Sequence, residues 1–336
     1  MPKPPGTSMK EPARGAADGS LPPMPGQHTP PPGQGHNSRS RAHLIMNPRA
    51  RGVTPALQHL MTTALEARFD LTVTQTQARD AGAAIARQAV DEGAELLIAF
   101  GGDGLVNDVV NGMAGSDATL GVIPGGTMNV FARNLGIPTN PADAADAILQ
   151  RAGDLHPRRL PLGMANDRYF TFAVGCGFDA EAAARVDLHK VAKQRLGEPY
   201  FYAAALATFA SSYATRRPFL TCEGPFGVHP AVLAVGLVGN TYAYLAGRPV
   251  RLTPGRRGGT GLGLFLLRRL NYLHLPRYAF GAVTGRFGPS ALSLSNVEEF
   301  VVSADEPISH HVDGETLPPA EKIHVRRAPF RLKVLA

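Results

Sequence analysis

Three glycines and one carboxylate, Gly101, Gly102, Asp103 and Gly104, form the stretch of this sequence best suited to bind a ligand. An apolar run at 95–100 precedes them and an amphipathic stretch at 105–113 follows, which predicts a strand, a tight turn and a helix. Glycine lets a ligand approach the backbone closely, and free amides at a helix start bind anions, usually phosphate. The sequence therefore predicts a phosphate-binding turn, with a turn that binds nothing as the alternative.

Asp103 is unusual within such a turn, because a carboxylate repels phosphate unless Mg²⁺ lies between them or a neighbouring donor binds the acid. The residue therefore indicates either a nucleotide–metal site or an Asx turn, in which the side chain accepts a local backbone N–H. The spacing matches neither G-x-x-x-x-G-K-[ST] nor G-x-G-x-x-G, which excludes the P-loop and the Rossmann fingerprint.

The elements that would position this turn alternate between strand and helix. Strands are predicted at 43–48, 71–76, 95–100 and 119–123, and helices at 55–68, 80–92, 105–113 and 141–151, with a short helix through Val130, Phe131 and Leu135. Such alternation is typical of a parallel sheet covered on both faces, whose ligands lie at the carboxyl ends of its strands. We expect Asn47-Pro48, the 101–104 turn and a second glycine turn at 124–127 to meet at that edge.

After about residue 158 the apolar runs become mostly strand-like, which predicts a mainly antiparallel β domain with one or two helices. The predicted class is thus α/β with two domains, a Rossmann-like parallel domain followed by a β-sandwich domain. The expected divisions are a disordered Pro/Gly-rich tail at 1–41, an α/β domain at 42–157, a β-rich domain at 158–320, and terminal strands at 321–336 that return to the first domain.

The amino-acid composition favours some classes of binding partner over others. The net charge of +7 favours anionic partners, but the absence of Trp and of a basic run with interleaved aromatics disfavours nucleic acid. Cys176 and Cys222 have no metal-binding spacing, which indicates reduced thiols in a cytoplasmic protein. No apolar run reaches the roughly 18–20 residues that cross a bilayer, and the N-terminus lacks the apolar region of a secretory signal.

Five motifs follow one another along the chain: Asn47-Pro48, Gly101-Gly102-Asp103-Gly104 with 107–113, residues 121–133, Gly177-Phe178-Asp179-Ala180 and Asp313-Gly314-Glu315. Together they resemble the signature of the diacylglycerol kinase catalytic family, which includes bacterial lipid kinases and sphingosine kinases. The resemblance implies a two-domain enzyme, with a nucleotide-binding domain at 42–157 and a lipid-binding domain at 158–320, that transfers the γ-phosphoryl group of Mg-ATP to a lipid hydroxyl. Diacylglycerol, which would give phosphatidic acid, is the expected acceptor, met at a membrane surface that the cytoplasmic enzyme contacts peripherally.

The resemblance also implies roles for particular residues. Glu315 matches the family's proton acceptor, Asp313 is the second candidate for that role, and Asp179 would lie near the polar head of the acceptor. The implied nucleotide contacts are Asn47, Pro48, Arg49, Ala50, Arg51, Thr76, Gly101, Gly102, Asp103, Gly104, Leu105, Val106, Asn107, Gly125, Gly126, Thr127 and Asn129. Asp103 would approach the Mg²⁺ that accompanies ATP.

The same residues have structural alternatives. Asp-Gly is typical of a two-residue hairpin turn, so Asp313 taken alone favours a structural role over a catalytic one. Asp179 could equally be a helix N-cap. The apolar stretch at 199–213 favours a core helix over a border of the lipid entry. The pairs at 256–257 and 268–269, all arginines, could meet an anionic membrane surface or only water.

Departures from the family pattern weaken parts of this interpretation. Leu105 stands where the family usually has Thr, so a hydroxyl that could touch phosphate is missing, and Asp108 replaces a more usual Glu. The stretch at 259–263 has no carboxylate, so we expect no structural metal there and a mobile loop at 253–260. An NAD kinase-type enzyme and a non-catalytic nucleotide- or lipid-binding protein remain alternatives, and a homodimer stays open.

Overall fold

The structure is a computed structural model that describes residues 39–78, 80–152, 156–188, 198–245, 247–253 and 261–336. Residues 39–336 form one compact unit. The predictions made for residues 1–38, for most of the loop at 253–260 and for Arg256 and Arg257 lie outside the described residues. Within them, no helix combines the length and the apolar character needed to cross a membrane.

The first half of the chain builds a parallel sheet with the order β2-β1-β3-β4. Its strands are β1 (Arg41–Met46), β2 (Asp70–Gln75), β3 (Leu96–Gly101) and β4 (Thr119–Pro124). Every residue of β3 and β4 is buried, and this explains why both strands are almost continuously apolar in sequence.

Helices cover both faces of this sheet. They are α1 (Pro55–Glu66), α2 (Ala81–Asp91), α3 (Asp103–Gly112), α4 (Val130–Leu135) and α5 (Pro141–Gln150). Successive strand residues point to opposite faces, so Ile98 packs in the core with α1 and α5, whereas Leu97 packs in the core with α2 and α3. Thr54 caps α1, and Asn140 caps α5 ahead of a proline.

The second half is mainly antiparallel. Its strands are β5 (Arg158–Ala165), β6 (Arg168–Phe170), β7 (Ala173–Gly177), β8 (Leu220–Gly224), β9 (Gly227–Ala231), β10 (Leu233–Leu237), β11 (Thr241–Leu245), β12 (Arg248–Arg251), β13 (Leu262–Leu267), β14 (Ala291–Val297), β15 (Glu299–Val312) and β16 (Glu315–Val334). The central order is β14-β13-β10-β7-β15-β16, with β5, β6, β8 and β9 paired beside it and β11-β12 as a separate ribbon.

Three helices accompany these strands in the described residues. They are α6 (Phe178–Leu188), α7 (Glu198–Thr208), which continues into a π-helical turn at Phe209–Tyr213, and α8 (Leu275–Thr284), which follows a 3₁₀ turn at Tyr272–His274. The sequence predicted α7 together with its π turn as one helix. It did not predict α8, whose apolar residues lie on more than one face.

The last strand joins the two halves. β16 pairs with β15 and β5 in antiparallel fashion, and its end pairs in parallel with β4, where Val334 lies beside Leu120. The Leu335 N–H donates to the Leu120 carbonyl at 2.9 Å. The predicted class, a parallel α/β region followed by antiparallel strands, is confirmed.

Candidate active site

The two glycine turns meet at the carboxyl edge of the parallel sheet, as the sequence predicted. The Gly125 N–H donates to the Gly101 carbonyl at 2.7 Å, and the Asn47 N–H donates to the Phe100 carbonyl at 3.0 Å. A Cβ added to Gly126 would lie 2.6 Å from the Cα of Gly102. Only glycine therefore allows these two turns to lie this close together.

The β1 turn and the end of β2 join the same edge. The Gly52 N–H donates to the Gly125 carbonyl at 2.8 Å, and the Thr76 N–H donates to the Met46 carbonyl at 2.8 Å. The Asn47 side chain accepts the Arg49 N–H, so the 47–51 turn is held by its own backbone and side chains. Thr127 lies half-buried beside Gly126.

Helix α3 begins inside the first glycine turn, with Gly102 as its N-cap. The first amides of a helix have no intrahelical acceptor, so the N–H groups of 103–105 give this end of α3 a partial positive charge. The sequence predicts a helix start that binds an anion; the structure places this helix start at the edge where the turns meet, and anion binding stays a prediction.

Asp103 has a role that neither sequence interpretation foresaw. Its carboxylate oxygens accept the N–H groups of Val130 and Phe131, each at 3.0 Å, and so hold the start of α4 against α3. Burial raises the pKa of Asp103 to about 6, opposed by these backbone hydrogen bonds. The Asx turn is therefore wrong, while a contact of Asp103 with the Mg²⁺ of ATP stays a prediction.

Three other predicted nucleotide contacts have side chains engaged within the protein. Leu105 and Val106 lie in the core shared with α2, and a Cβ added to Gly101 would lie 2.8 Å from Leu105 Cδ2. Asn129 has a positive φ of 46° and exchanges two hydrogen bonds with Gly126. Leu105 thus faces the core, and only the backbone of that turn of α3 faces the edge.

Asn107 connects α3 to the second half of the molecule. The side chain is fully buried, and its Nδ2 donates to the Tyr169 carbonyl at 2.9 Å and to Asp313 Oδ2 at 2.8 Å. Its Oδ1 accepts from Arg168 Nε at 2.9 Å and from Asn111. All these partners belong to the protein, so Asn107 is a structural link, and a nucleotide contact through it stays a prediction.

Asp313 lies in the turn between β15 and β16. Asp313 and Gly314 both have positive φ (49° and 78°), and Val312 pairs with Glu315, which is the two-residue hairpin turn that the sequence allowed. Asp313 is also buried, and its two oxygens accept five hydrogen bonds. The donors are Asn107 Nδ2, the Thr171 hydroxyl and the N–H groups of Thr171, Phe172 and Ala173, at 2.7–3.0 Å.

This environment makes Asp313 unsuited to remove a proton. Burial raises the pKa of its carboxyl, and the hydrogen bonds from the backbone N–H groups oppose that shift. An oxygen could reach a substrate only after losing one of the five donors. The structure therefore favours a structural role for Asp313, as the anchor that holds the turn against Asn107.

Glu315 begins β16 and lies above the start of α3. A Cβ added to Gly104 would lie 3.7 Å from Glu315 Oε2. The side chain is 12% exposed, and Oε2 accepts from Arg168 Nη2 at 3.0 Å. Glu315 is therefore a partly exposed carboxylate beside the start of α3, whereas Asp313 is buried.

Arg168 on β6 is the charged residue that sequence reasoning missed. Its guanidinium contacts three carboxylates, with Nη2 at 3.0 Å from both Asp108 and Glu315 and Nη1 at 3.6 Å from Asp80. Carboxylate oxygens of these three acids lie within 4.8 Å of one another, so they share a cation that the chain supplies itself. Burial, followed by the charge of Glu315, raises the pKa of Asp108 to about 7, and Arg168 opposes this.

Asp179 lies in the first turn of α6 and accepts from two side chains. His311 Nε2 lies 2.7 Å from Asp179 Oδ2, and the Tyr242 hydroxyl donates to Oδ1. The Gly314 N–H donates to His311 Nδ1 at 3.2 Å, which puts the proton of a neutral ring on Nε2. A helix cap by Asp179 is therefore wrong, and the residue is connected through His311 to the Asp313-Gly314 turn.

Gly175 is what lets this pair fit. A Cβ added at Gly175 would lie 2.0 Å from Asp179 Oδ2 and 2.4 Å from His311 Nε2. The sequence held one signal for this arrangement, the Gly175-x-Gly177 spacing ahead of Asp179. His311 and Tyr242 have no sequence signal of their own, because their partners are distant along the chain.

Comparison with known proteins identifies related sequences. The diacylglycerol kinase catalytic domain family matches residues 41–156. The diacylglycerol kinase of Bacillus subtilis (strain 168) is 29% identical over 286 residues, which cover 82% of this chain and 89% of that protein. A protein of Pseudomonas fluorescens named a YegS-like lipid kinase is 33% identical over 234 residues, 67% of this chain and 72% of its own length.

Solved structures show the same fold. A diacylglycerol kinase from Bacillus anthracis str. Sterne superposes with a TM-score of 0.66 at 23% identity, over 88% of this chain and 97% of that one. An NAD kinase from Archaeoglobus fulgidus, solved with ATP, superposes with a TM-score of 0.51 at 12% identity, over 88% and 93%. The chain belongs to the diacylglycerol kinase catalytic family and is a lipid kinase.

Proposed function

We propose that this lipid kinase transfers the γ-phosphoryl group of ATP to the hydroxyl of diacylglycerol and so forms phosphatidic acid. The observation that carries the proposal is the position of the Glu315 carboxylate above Gly104, at the start of α3. A helix start with glycine turns on either side suits a phosphate group, and a carboxylate beside it suits removal of a proton from an alcohol.

In this proposal the 47–51 turn, Thr76 and the two glycine turns hold the nucleotide through backbone groups. Residues 42–157 form the nucleotide half and 158–320 the lipid half, and the pairing of Val334 with Leu120 supports a return of 321–336 to the first half. Glu315 accepts the proton of the attacking hydroxyl, while Asp313 anchors the turn that presents it. We propose that Asp179 lies near the acceptor and acts through its contact with His311.

We propose that Mg²⁺ reaches the site bound to ATP. Mg²⁺ is usually bound to ATP through its phosphates, and when bound it would neutralise their charge. Among the described residues, oxygens of Asp80, Asp108 and Glu315 lie close enough to one another to hold a cation, but all three carboxylates contact Arg168, and Asp103 accepts from α4. We therefore assign no step of the proposed reaction to a protein-bound metal.

The lipid acceptor implies access to a membrane, and we propose a cytoplasmic enzyme that contacts the membrane peripherally. The decisive experiment supplies radiolabelled ATP with Mg²⁺ and a panel of acceptors that includes diacylglycerol, a sphingoid base, a prenol and NAD. We expect label in phosphatidic acid. Label in NADP alone would favour an NAD kinase-type activity, and ATP binding without any product would favour a non-catalytic protein.

A further inference from the structure

The outer face of α8 and of the 3₁₀ turn before it is apolar in the folded protein. Tyr272, Leu273, Phe280 and Val283, called here the α8 surface, are 58%, 90%, 60% and 61% exposed. The exposed face of a helix is normally polar, and a contiguous exposed apolar patch marks an interaction site. The α8 surface therefore lacks an explanation within the described fold.

The orientation of α8 is fixed by its inner face, so these side chains cannot rotate inward. Tyr278 is buried, and its hydroxyl donates to the Arg269 carbonyl at 2.5 Å. A Cβ added to Gly281 would lie 2.4 Å from Phe287, which shows that Phe287 fills the space beneath the helix. With this face packed inward, Phe280 and Val283 point away from the protein.

The chain segment that carries the α8 surface has charges of a single sign. Between Glu223 and Glu298 the sequence contains no Asp or Glu. In the same interval it has arginines at 248, 251, 256, 257, 268, 269, 277 and 286. Arg268, Arg269, Arg277 and Arg286 are exposed, and among the described residues none of them pairs with a carboxylate.

Ring contacts lead from this surface toward the site. Tyr272 packs edge-on against Phe209 of the π turn at 5.1 Å between centroids, and Tyr213 of that turn packs edge-on against Phe178 at 5.1 Å. Phe178 directly precedes Asp179, which contacts His311. The α8 surface is thus connected through packed rings to the helix start beside the Asp313-Gly314 turn.

We propose that the α8 surface is the membrane-docking face of this protein and that its occupant is an anionic lipid bilayer. Exposed apolar side chains flanked in sequence by exposed arginines, on a helix too short to span, are typical of a helix that lies in the membrane interface. The apolar residues enter the acyl region, while Arg268, Arg269, Arg277 and Arg286 meet the negative head groups. The proposal extends the proposed lipid kinase function, because it names where the enzyme meets its substrate phase.

The test is co-sedimentation of the full chain with vesicles of phosphatidylcholine alone or mixed with phosphatidylglycerol. We expect binding to the mixed vesicles that weakens at high salt. Leu273→Glu and Phe280→Glu should each reduce that binding at least about tenfold, because each loses a buried apolar side chain and adds a repelled charge. Arg277→Gln should lower binding to the mixed vesicles and leave binding to phosphatidylcholine unchanged.

Matched controls come from the nucleotide half. Leu60 on α1 is 52% exposed and Arg87 on α2 is exposed, so Leu60→Glu and Arg87→Gln should bind vesicles as the wild type does. Thermal unfolding of all five variants, compared with the wild type, identifies any that fail to fold. These variants should also phosphorylate a short-chain, monomeric diacylglycerol at the wild-type rate.

Other outcomes would overturn the proposal. Wild-type vesicle binding in Leu273→Glu and Phe280→Glu would remove the α8 surface as the docking face. A drop in molar mass of the same variants with vesicle binding unchanged would assign the surface to a contact between two copies of the chain. Vesicle binding is measured without catalysis, so a wild type that binds but phosphorylates no lipid would instead contradict the proposed function.

Discussion

The glycine edge of the parallel sheet and the β15–β16 turn meet at one place but are built in opposite ways. At the glycine edge, turns approach through backbone atoms, as in the 2.7 Å bond from Gly125 to Gly101. At the β15–β16 turn, side chains from distant parts of the chain meet: Asn107 reaches Asp313 across 206 residues, and Arg168 reaches Glu315 across 147.

This difference separates two requirements of phosphoryl transfer. Binding a phosphate needs close approach and amide donors, which short glycine-rich segments supply locally. Placing a base needs a carboxylate of controlled charge, which depends on neighbours that only the folded chain assembles. We therefore expect substitutions at the glycine edge to act through packing and nucleotide affinity, and those at the β15–β16 turn through charge.

Glu315→Gln should have the largest effect on catalysis. Glutamine keeps the shape of the side chain and an oxygen that can accept from Arg168, but it cannot take up a proton. We expect turnover of diacylglycerol to fall by about 10²–10⁴-fold, the usual contribution of a positioned base, with little change in ATP affinity. Steady-state kinetics and nucleotide titration measure the two quantities.

Glu298→Gln is the control for the loss of an ion pair to arginine. Glu298 lies just before β15 in an exposed position, and its carboxylate is 3.7 Å from Arg327. Its turnover should equal that of the wild type. If Glu315→Gln also retained wild-type turnover, Glu315 would not be the base.

Asp313→Asn should have the largest effect on stability. Asparagine tolerates the positive φ at this position, so the substitution changes charge and hydrogen bonding rather than turn geometry. Its NH₂ group would face N–H donors that the carboxylate now accepts. We expect a loss of about 3–5 kcal/mol in the free energy of unfolding, because at least two donors lose a hydrogen bond to a charged acceptor, each worth about 1.5–3 kcal/mol.

Urea unfolding of Asp313→Asn measures this loss, and Asp305→Asn, at an exposed position of β15, should change stability by less than about 0.5 kcal/mol. Similar stability in the two variants would show that the five hydrogen bonds of Asp313 are not what holds the turn. The contrast with Glu315→Gln separates the anchor of the turn from its base.

These two acids also show how far sequence reasoning reaches. The strand and helix periodicity and the glycine turns predicted the parallel sheet and its edge, because those features depend on neighbouring residues. The Asp-Gly pair predicted the hairpin turn. Nothing local could predict that Asp313 is saturated by Thr171, Phe172 and Ala173, or that Arg168 pairs with Glu315, since such contacts arise only after long-range packing.

The same limit explains two departures at the glycine edge. Asp103 was expected to face a metal or its own turn, but its carboxylate accepts N–H groups at the start of α4. These amides come later in the sequence, after the whole of β4. Leu105 was expected to weaken a phosphate contact, whereas the structure places its side chain in the core beside Gly82 and Gly101. The direction of a side chain at a helix start depends on the packing of the folded chain, so the local sequence does not predict it.

Gly126→Ala should have an intermediate effect and act at the glycine edge alone. The added methyl group would lie 2.6 Å from the backbone of Gly102, so the two turns must separate. We expect a loss of about 1–3 kcal/mol in stability and a raised KM for ATP. Gly115→Ala, at a positive φ of 80° with no atom within 4 Å, should show backbone strain without any change in KM.

Should Gly126→Ala and Gly115→Ala raise KM equally, the close approach of the two glycine turns would not determine nucleotide affinity. Should Gly126→Ala change turnover and leave KM unchanged, the glycine edge would share the role assigned to the β15–β16 turn. Either result would remove the division between the two regions.

Asp108→Asn should have the smallest effect of these substitutions. It should change how the free energy of unfolding depends on pH. Burial and Glu315 raise the pKa of Asp108 to about 7 in the folded protein, above the value near 4 of an unfolded chain. A carboxyl with a raised folded pKa stabilises the fold most below about pH 4, and that contribution is lost as the pH rises through about 7. Asparagine resembles the protonated acid and removes this loss.

We therefore expect Asp108→Asn to become more stable relative to the wild type by about 1 kcal/mol or more between about pH 4 and pH 8, since one pKa unit corresponds to about 1.4 kcal/mol. Urea unfolding at several pH values measures the difference, in which the titration of Asp103 cancels because both proteins retain it. An unchanged difference across the range would mean that Arg168 keeps Asp108 ionised throughout. The charges beside the β15–β16 turn would then stay the same across this pH range. Substitutions at the glycine edge would still act through the close approach of its backbone.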